Sequence, residues 1–258
     1  MKRSILIALL LGLVVFGAGD AFAQQSAANP TLNINLGTGD GLTARVLQLT
    51  ALITVLSLAP SILIMTTSFV RIVVVLSLLR TAIGLQQAPP NAVIISLALF
   101  MTAFVMEPVW NQAYEDGIGP LMRQELSLEE AFPRATAPLK RFMAAQTRDT
   151  DLSMFMDMAH LNPRPTQVED VPIRVMAPAF MISELRRSFE IGFMLFIPFL
   201  IIDLVVSSLL MAMGMMMMPP VTISLPFKLI FFVLVDGWRL VAGSLIESFA
   251  AGQTPPPH

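Results

Sequence analysis

The sequence predicts an all-α, multi-helix membrane protein with long kinked helical hairpins, and three observations predict this fold class. The 258 residues are 55% hydrophobic and only 13% charged, against about 45–50% and about 25% in soluble domains. The mean hydropathy is +0.72. The apolar residues gather in long runs, and the chain has no strand-rich region.

The composition leaves little room for catalysis. The chain has no cysteine, so disulfides, thiolate metal sites and cysteine nucleophiles are excluded. It has only two histidines, His160 and His258, which leaves few candidates for a histidine metal site or acid–base catalyst. No Gly-rich phosphate loop ending in Gly-Lys-Ser/Thr occurs. Ser224 and Lys228 are four residues apart, but the intervening Pro226 disfavours a Ser–Lys dyad. We predict no enzyme activity, cofactor or metal, and the net charge of -2 gives no ground for a nucleic-acid partner.

Residues 1–23 have the pattern of an export signal peptide. Two basic residues precede an apolar run at 5–16, and a small-x-small pattern ends at Ala23. Cleavage there makes Gln24 the first mature residue and places the new N-terminus outside the cytoplasm, whereas the alternative is a retained N-terminal span. Residues 24–44 are rich in Asn, Gly and Thr and are predicted to be a flexible lead-in.

A first apolar hairpin is predicted at 45–106. Its first run, 46–79, is longer than a straight span of about 20 residues, and we expect Pro60 to kink it. Arg71 interrupts the same run. The second run, 92–106, reaches only about 23 Å at about 1.5 Å per residue, short of a hydrocarbon core of roughly 30 Å.

A polar region follows at 107–190 and carries 9 of the 16 Lys and Arg and 13 of the 18 Asp and Glu. Helices are predicted at 139–160 and again from Pro178, separated by the prolines within 162–165. Because the predicted mature N-terminus is outside the cytoplasm, counting spans places this region on the periplasmic side.

A second apolar hairpin is predicted at 191–250, with a tail at 251–258. Its run 191–213 contains Pro198 and Asp203. Its run 225–249 is broken by Lys228, Asp236 and Arg239.

Charges inside apolar runs are costly, at about 2.5–3.5 kcal/mol each at a helix centre, and normally face protein or a wet cavity. We expect Arg71 and the charges of the second hairpin to be sheltered against other subunits. Snorkelling at helix ends is the alternative for Arg80, Arg239 and Lys228. Asp203 is too short to snorkel, and its predicted partner is either Lys228 or Arg239 of the same chain or a group of another subunit.

Four charged residues cluster before the third apolar run: Glu184, Arg186, Arg187 and Glu190. Arg186 and Glu190 are four apart and can pair along one helix face. Either these side chains form a solvated face, or they pair between subunits.

Methionine is concentrated at the predicted tip of the second hairpin, where six of the eight residues at 211–218 are Met. Gly214 and the following Pro219-Pro220 are expected to end the helix and leave a loop. Methionine is simply tolerated in membrane helices under the plainer interpretation. Under the sharper one, its flexible thioether side chains repack around varied shapes, and loops from several copies form a pore gasket. The gasket residues are Met215, Met216, Met217 and Met218.

Three segments closely resemble the FliP family, the flagellar member of the type III secretion export-gate family: 68–80 closed by 84–91, 138–143 followed by 146–148, and 178–238. The resemblance covers about residues 45–250. It implies a structural, pore-forming component of the bacterial inner membrane and the flagellar basal body. Five copies and two kinds of smaller membrane subunit would form a helical oligomeric gate within membrane lipid, through which unfolded flagellar subunits pass.

Two alternatives remain open. The injectisome branch of the same family shares much of the segment 178–238, although the signal peptide and the Arg71 segment favour the flagellar branch. A secondary transporter or ion channel would use Arg71, Asp203 and Asp236 to line a solute path. Such transporters usually have paired repeats, and this sequence has none.

Overall fold

The computed structural model describes residues 46, 49–51, 53, 54, 57, 61, 62, 64–85, 87–161, 163, 165, 167–215 and 218–250. All regular structure in these residues is helical, so the all-α prediction is confirmed. The signal peptide with its cleavage at Ala23–Gln24, the lead-in, the tail and the expected kink at Pro60 lie outside the described residues and stay predictions.

The chain divides into a short first unit, Met1–Ala59, and a second unit, Pro60–His258. The described residues of the first unit are helical. The hydroxyls of Thr50, Thr54 and Ser57 each donate to the carbonyl four residues earlier, at 2.7, 2.8 and 2.7 Å. Such bonds satisfy hydroxyls on an apolar helix.

The second unit contains eight α-helices in its described part. They are α1 Phe69–Ile83, α2 Asn91–Ala113, α3 Gly119–Met122, α4 Leu128–Gln146, α5 Asp149–Met158, α6 Ile173–Ala212, α7 Pro220–Leu234 and α8 Gly237–Ala250. A π-helical turn, Tyr114–Ile118, joins α2 to α3, and a 3₁₀ turn, Val168–Asp170, precedes α6.

Helices α1 and α2 form the first hairpin. Gly84 ends α1 in the left-handed conformation at φ 92°, which glycine adopts without steric cost. Arg80 closes the turn by donating to the Pro89 carbonyl at 3.2 Å and to Asn91 Oδ1 at 2.6 Å. The apolar run was expected to fall short of a membrane, but α2 continues through Pro108 for 23 residues, about 35 Å at about 1.5 Å per residue.

Helices α3 to α5 form the polar region. Ser127 and Glu130 make a capping box at the start of α4, and the hydrogen bonds from Ser127 lower the pKa of Glu130. The helix predicted at 139–160 is two helices, because Thr147 is extended and the Arg148 N–H donates to Ser183 Oγ at 3.1 Å. The predicted break at 162–165 agrees with the end of α5 at Met158.

The longest helix, α6, has 40 residues, about 60 Å at about 1.5 Å per residue, and begins five residues before the predicted Pro178. It continues through both Pro178 and Pro198. It packs against α1 at Gly192, where a Cβ atom would come within 2.3 Å of Leu78 Cδ1. A larger residue at 192 would therefore require the Leu78 side chain to move.

Helices α6, α7 and α8 form the second hairpin. The predicted helix break is confirmed, since α6 ends at Ala212, Gly214 has φ 73° and α7 begins at Pro220. Helices α7 and α8 are bent by 63° at Asp236, whose φ is 51°. The tight bend relies on Gly237, because a Cβ there would lie 2.1 Å from the Phe232 ring.

The two hairpin tips lie at the same end of the second unit. Leu225 of α7 packs against Gly84 at the end of α1. Among the described residues, two helical stretches are long and apolar enough to cross a membrane, Asn91–Met122 and Ile173–Ala212, or three if the bent pair α7–α8 is one span.

Candidate functional site: two polar clusters and a methionine loop

The first cluster is built around Arg71, in the first turn of α1, and Glu184 of α6. Their side chains are 1% and 0% exposed. Arg71 Nε donates to Glu184 Oε2 at 2.8 Å, and Nη2 donates to Oε1. A bidentate guanidinium–carboxylate pair is among the strongest hydrogen-bonded contacts in proteins, which is what a fully buried pair requires.

The remaining donors of Arg71 reach two other helices. Nη1 donates to Ser248 Oγ at 3.1 Å and to the Ser248 carbonyl at 3.4 Å, and Nη2 donates to Gln146 Oε1 at 2.9 Å. Gln146 Nε2 donates to the Phe249 carbonyl at 3.1 Å. Both carbonyls belong to the last described turn of α8, so the two side chains connect α8 to α1 and α4. We call these residues, Arg71, Gln146, Glu184 and Ser248, the Arg71 cluster.

The Arg71 cluster corrects two expectations. Arg71 was expected to be sheltered by another subunit, and Glu184 to be solvated or paired between subunits. Both are wrong because the two side chains satisfy each other inside one chain. Glu184 lies on the face of α6 that also buries Ser188, whereas the exposed Arg186 is on a different face.

The other charges of that group are at the surface. Arg186 Nε lies 2.9 Å from Glu190 Oε1, with both side chains exposed, so the predicted i,i+4 pair is formed. Arg187 is exposed too. Pairing of these three residues between subunits stays a prediction.

The second cluster lies 19 residues further along α6, at Asp203. Asp203 Oδ2 is 2.7 Å from Lys228 Nζ, and Ser224 Oγ donates to Asp203 Oδ1 at 2.5 Å. Lys228 Nζ also donates to the Ala82 carbonyl at 3.3 Å, in the last turn of α1. We call Asp203, Ser224 and Lys228 the Asp203 cluster.

The Asp203 cluster decides between the alternatives for these charges. The partner of Asp203 within the chain is Lys228 and not Arg239. Lys228 does not snorkel, because its side chain is only 5% exposed and lies within α7. The serine hydroxyl is engaged with the carboxylate, so Ser224 and Lys228 do not form a nucleophile–base pair.

Two further charges of the second hairpin are different. Asp236, at the bend between α7 and α8, and Arg239, in the first turn of α8, are exposed. Neither belongs to the ion pairs found among the described residues. Their expected shelter against other subunits stays a prediction.

A third polar cluster was not foreseen. Ser183 Oγ donates to Asp151 Oδ2 at 2.6 Å, and Arg148 Nη2 donates to Asp151 Oδ1 at 3.1 Å. Sequence reasoning also missed Gln146 and Ser248. Gln146 falls in a segment that carried the family resemblance, but nothing local in the sequence marks Ser248 as a partner of Arg71.

The methionine loop, residues 213–219, lies at the tip of the second hairpin. Met213, Met215 and Met218 are exposed, while Met216 and Met217 lie outside the described residues. The sides of the hairpins are also exposed and apolar. Only 11% of the most apolar 18-residue stretch of α6 is buried within the chain. Within the described residues, no three His, Asp or Glu side chains group to hold a metal.

These features define a class of protein: an all-α protein with membrane-length apolar helices in which Arg71, Asp203 and Lys228, three charges within apolar runs, form ion pairs inside one chain. The chain belongs to the FliP family, whose sequence model matches residues 52–245. It is 61% identical to "Flagellar biosynthetic protein FliP" of Caulobacter vibrioides over 98% of this chain and 93% of that protein. The proteins of the same name from Bacillus subtilis and Aquifex aeolicus are 50% and 48% identical, over 86% and 93% of this chain and 100% and 98% of theirs.

Proposed function

We propose that the chain is a pore-forming structural subunit of the flagellar type III protein export gate. It would act in the bacterial inner membrane at the basal body, where unfolded flagellar subunits pass across the membrane. The observation that carries this proposal is the methionine loop at the tip of the second apolar hairpin, where Met213, Met215 and Met218 are exposed. The relatives named as flagellar biosynthetic proteins supply the flagellar context.

The uncovered surface of the hairpins supports an assembly of several chains. Large apolar side chains are exposed along α6, including Phe193, Met194 and Leu204. Lipid can cover apolar side chains, but it covers charges poorly. Asp236 and Arg239 are exposed on the same hairpin, so other copies of the chain and smaller membrane subunits are its expected neighbours. The assembly implied by the family resemblance is a homopentamer with two kinds of smaller subunit.

The methionine loop is the proposed seal of the pore. Unbranched thioether side chains adapt to irregular surfaces. A ring of such loops can therefore close an empty pore and can also fit closely around an extended polypeptide. This role needs no cofactor, metal or catalysis. The polar region would lie on the periplasmic side, an orientation that rests on the predicted signal peptide.

The gasket is tested by replacing residues 215–218 with alanine in the assembled complex and measuring the permeability of the membrane to small ions. We expect a leak, because alanine cannot fill the space of methionine. Met158→Ala, which alters an exposed methionine of α5, is the matched control and should leave permeability unchanged. Normal permeability of the loop variant in a complete complex would contradict the proposal.

The assembly is tested by the native mass of the complex after gentle detergent extraction. We expect a large hetero-oligomer containing several copies of the chain. An active monomer or small homo-oligomer would instead favour a secondary transporter.

A further inference from the structure

The ends of α6 and α7 that flank the methionine loop bury few apolar side chains. On the loop side of Asp203, α6 buries only Val206 and Leu210, and the buried residues of α7 are Ser224, Lys228 and Phe232. Helix ends with few buried apolar contacts are held less firmly than the core. The placement of these two helix ends therefore depends on the polar contacts between them.

The Asp203 cluster joins the two helices that lead into and out of this loop. Ser224 and Lys228 are four residues apart, so they lie on one face of α7, and together they bind both oxygens of Asp203. A shift of α7 by one residue moves both donors by about 1.5 Å along the axis and about 100° around it. Both contacts would then be lost, so the cluster fixes the register of α7 on α6.

The same cluster fixes the second hairpin to the first. Lys228 donates to the Ala82 carbonyl, and Leu225 packs against Gly84 where α1 ends. Leu225 and Lys228, which lie within a single turn of α7, therefore connect the second hairpin to the end of α1.

We propose that Asp203, Ser224 and Lys228 are positioning residues that hold the methionine loop at a fixed height and angle in the pore. This inference rests on the proposed gate function, because it assigns the cluster to the closed seal and not to folding alone. The Arg71 cluster uses similar chemistry, but it lies 19 residues away along α6, about 29 Å at about 1.5 Å per residue.

That distance provides a matched control. Ser224→Ala removes one hydroxyl contact from the Asp203 cluster, and Ser248→Ala removes one hydroxyl contact from the Arg71 cluster. In the assembled complex, we expect both variants to assemble at the wild-type yield. We expect Ser224→Ala alone to raise ion permeability severalfold, and Asp203→Asn to raise it further. Equal permeability of the two serine variants at equal yield would overturn the inference.

A direct measurement of loop position separates this inference from the gate itself. The chain has no cysteine, so Leu209→Cys and Val221→Cys introduce two unique spin-label sites at exposed positions flanking the loop. Labelled chains are diluted with unlabelled chains in the complex, and their distance distribution is measured by pulsed electron paramagnetic resonance. We expect Ser224→Ala to broaden the distribution and Ser248→Ala to leave it unchanged.

The combined outcomes identify which proposal fails. If the alanine variant of residues 215–218 leaks but Ser224→Ala neither leaks nor broadens the distribution, the positioning role is wrong and the gate stands. If Ser224→Ala broadens the distribution while neither it nor the methionine variant leaks, the cluster positions the loop but the loop is not the seal.

Discussion

The Arg71 cluster and the Asp203 cluster both pair a charge that lies within apolar helices, at two positions along α6. In each, a carboxylate of α6 binds a cation of a neighbouring apolar helix, and that cation also donates to a carbonyl in the last turn of a third helix. They differ in exposure. The Arg71–Glu184 side chains are 1% and 0% exposed, whereas Asp203 is 28% exposed and Lys228 5%.

The difference follows from what each cluster joins. The Arg71 cluster joins α1, α4, α6 and α8, and its guanidinium satisfies several acceptors at once. The Asp203 cluster uses a lysine point charge and lies near an exposed loop. One kind of ion pair thus forms a fully buried structural joint at Arg71 and a partly exposed support at Asp203.

The largest expected effect comes from breaking the fully buried joint. Glu184→Ala or Arg71→Ala leaves a buried charge without its partner, which costs about 3–5 kcal/mol. We expect little folded protein in the membrane, measured by recovery and by thermal unfolding in detergent.

The control for this prediction replaces both partners. The double variant Arg71→Met with Glu184→Met leaves no unpaired charge, so it should be recovered better than either single variant. Recovery of Glu184→Ala at the wild-type level would show that the pair is not a structural joint.

A smaller effect is expected at the partly exposed cluster. Asp203→Ala should cost about 2–3 kcal/mol, below the range for a fully buried pair, because Asp203 is 28% exposed within the chain and Lys228 keeps the Ala82 carbonyl. Unfolding in detergent and recovery of the oligomer both measure it, and both should decrease. A loss equal to that of Glu184→Ala would remove the distinction between the two clusters.

The smallest effect is expected at the exposed pair on the same helix. Glu190→Gln breaks the Arg186–Glu190 pair, and an exposed helical pair contributes about 0.3–0.5 kcal/mol. Unfolding of the chain should hardly change. If Arg186 and Glu190 also pair between subunits, Glu190→Gln should lower the recovery of the oligomer without lowering the unfolding free energy of the chain. This combination would establish pairing between subunits.

Much of the fold followed from the sequence because apolar runs and helix breakers are local signals. The runs predicted the hairpins, and Gly214 with Pro219-Pro220 predicted the break confirmed between α6 and α7. The extent of α2 was underestimated because Pro108 and Glu107 ended the apolar run without ending the helix. The division at Thr147 was missed because it depends on Ser183, 35 residues away from the amide it binds.

The sequence by itself determined the class of the protein: its composition, its four apolar runs and its methionine-rich break specify helical hairpins whatever their partners. It also identified the charges that needed shelter. Only the tertiary structure decided where that shelter lies, because the pairing of Arg71 with Glu184 and of Asp203 with Lys228 depends on which helix faces meet. Helix periodicity sets the faces that a chain can offer, but contacts between residues far apart in the chain, such as Leu225 of α7 with Gly84 at the end of α1, select the faces that touch.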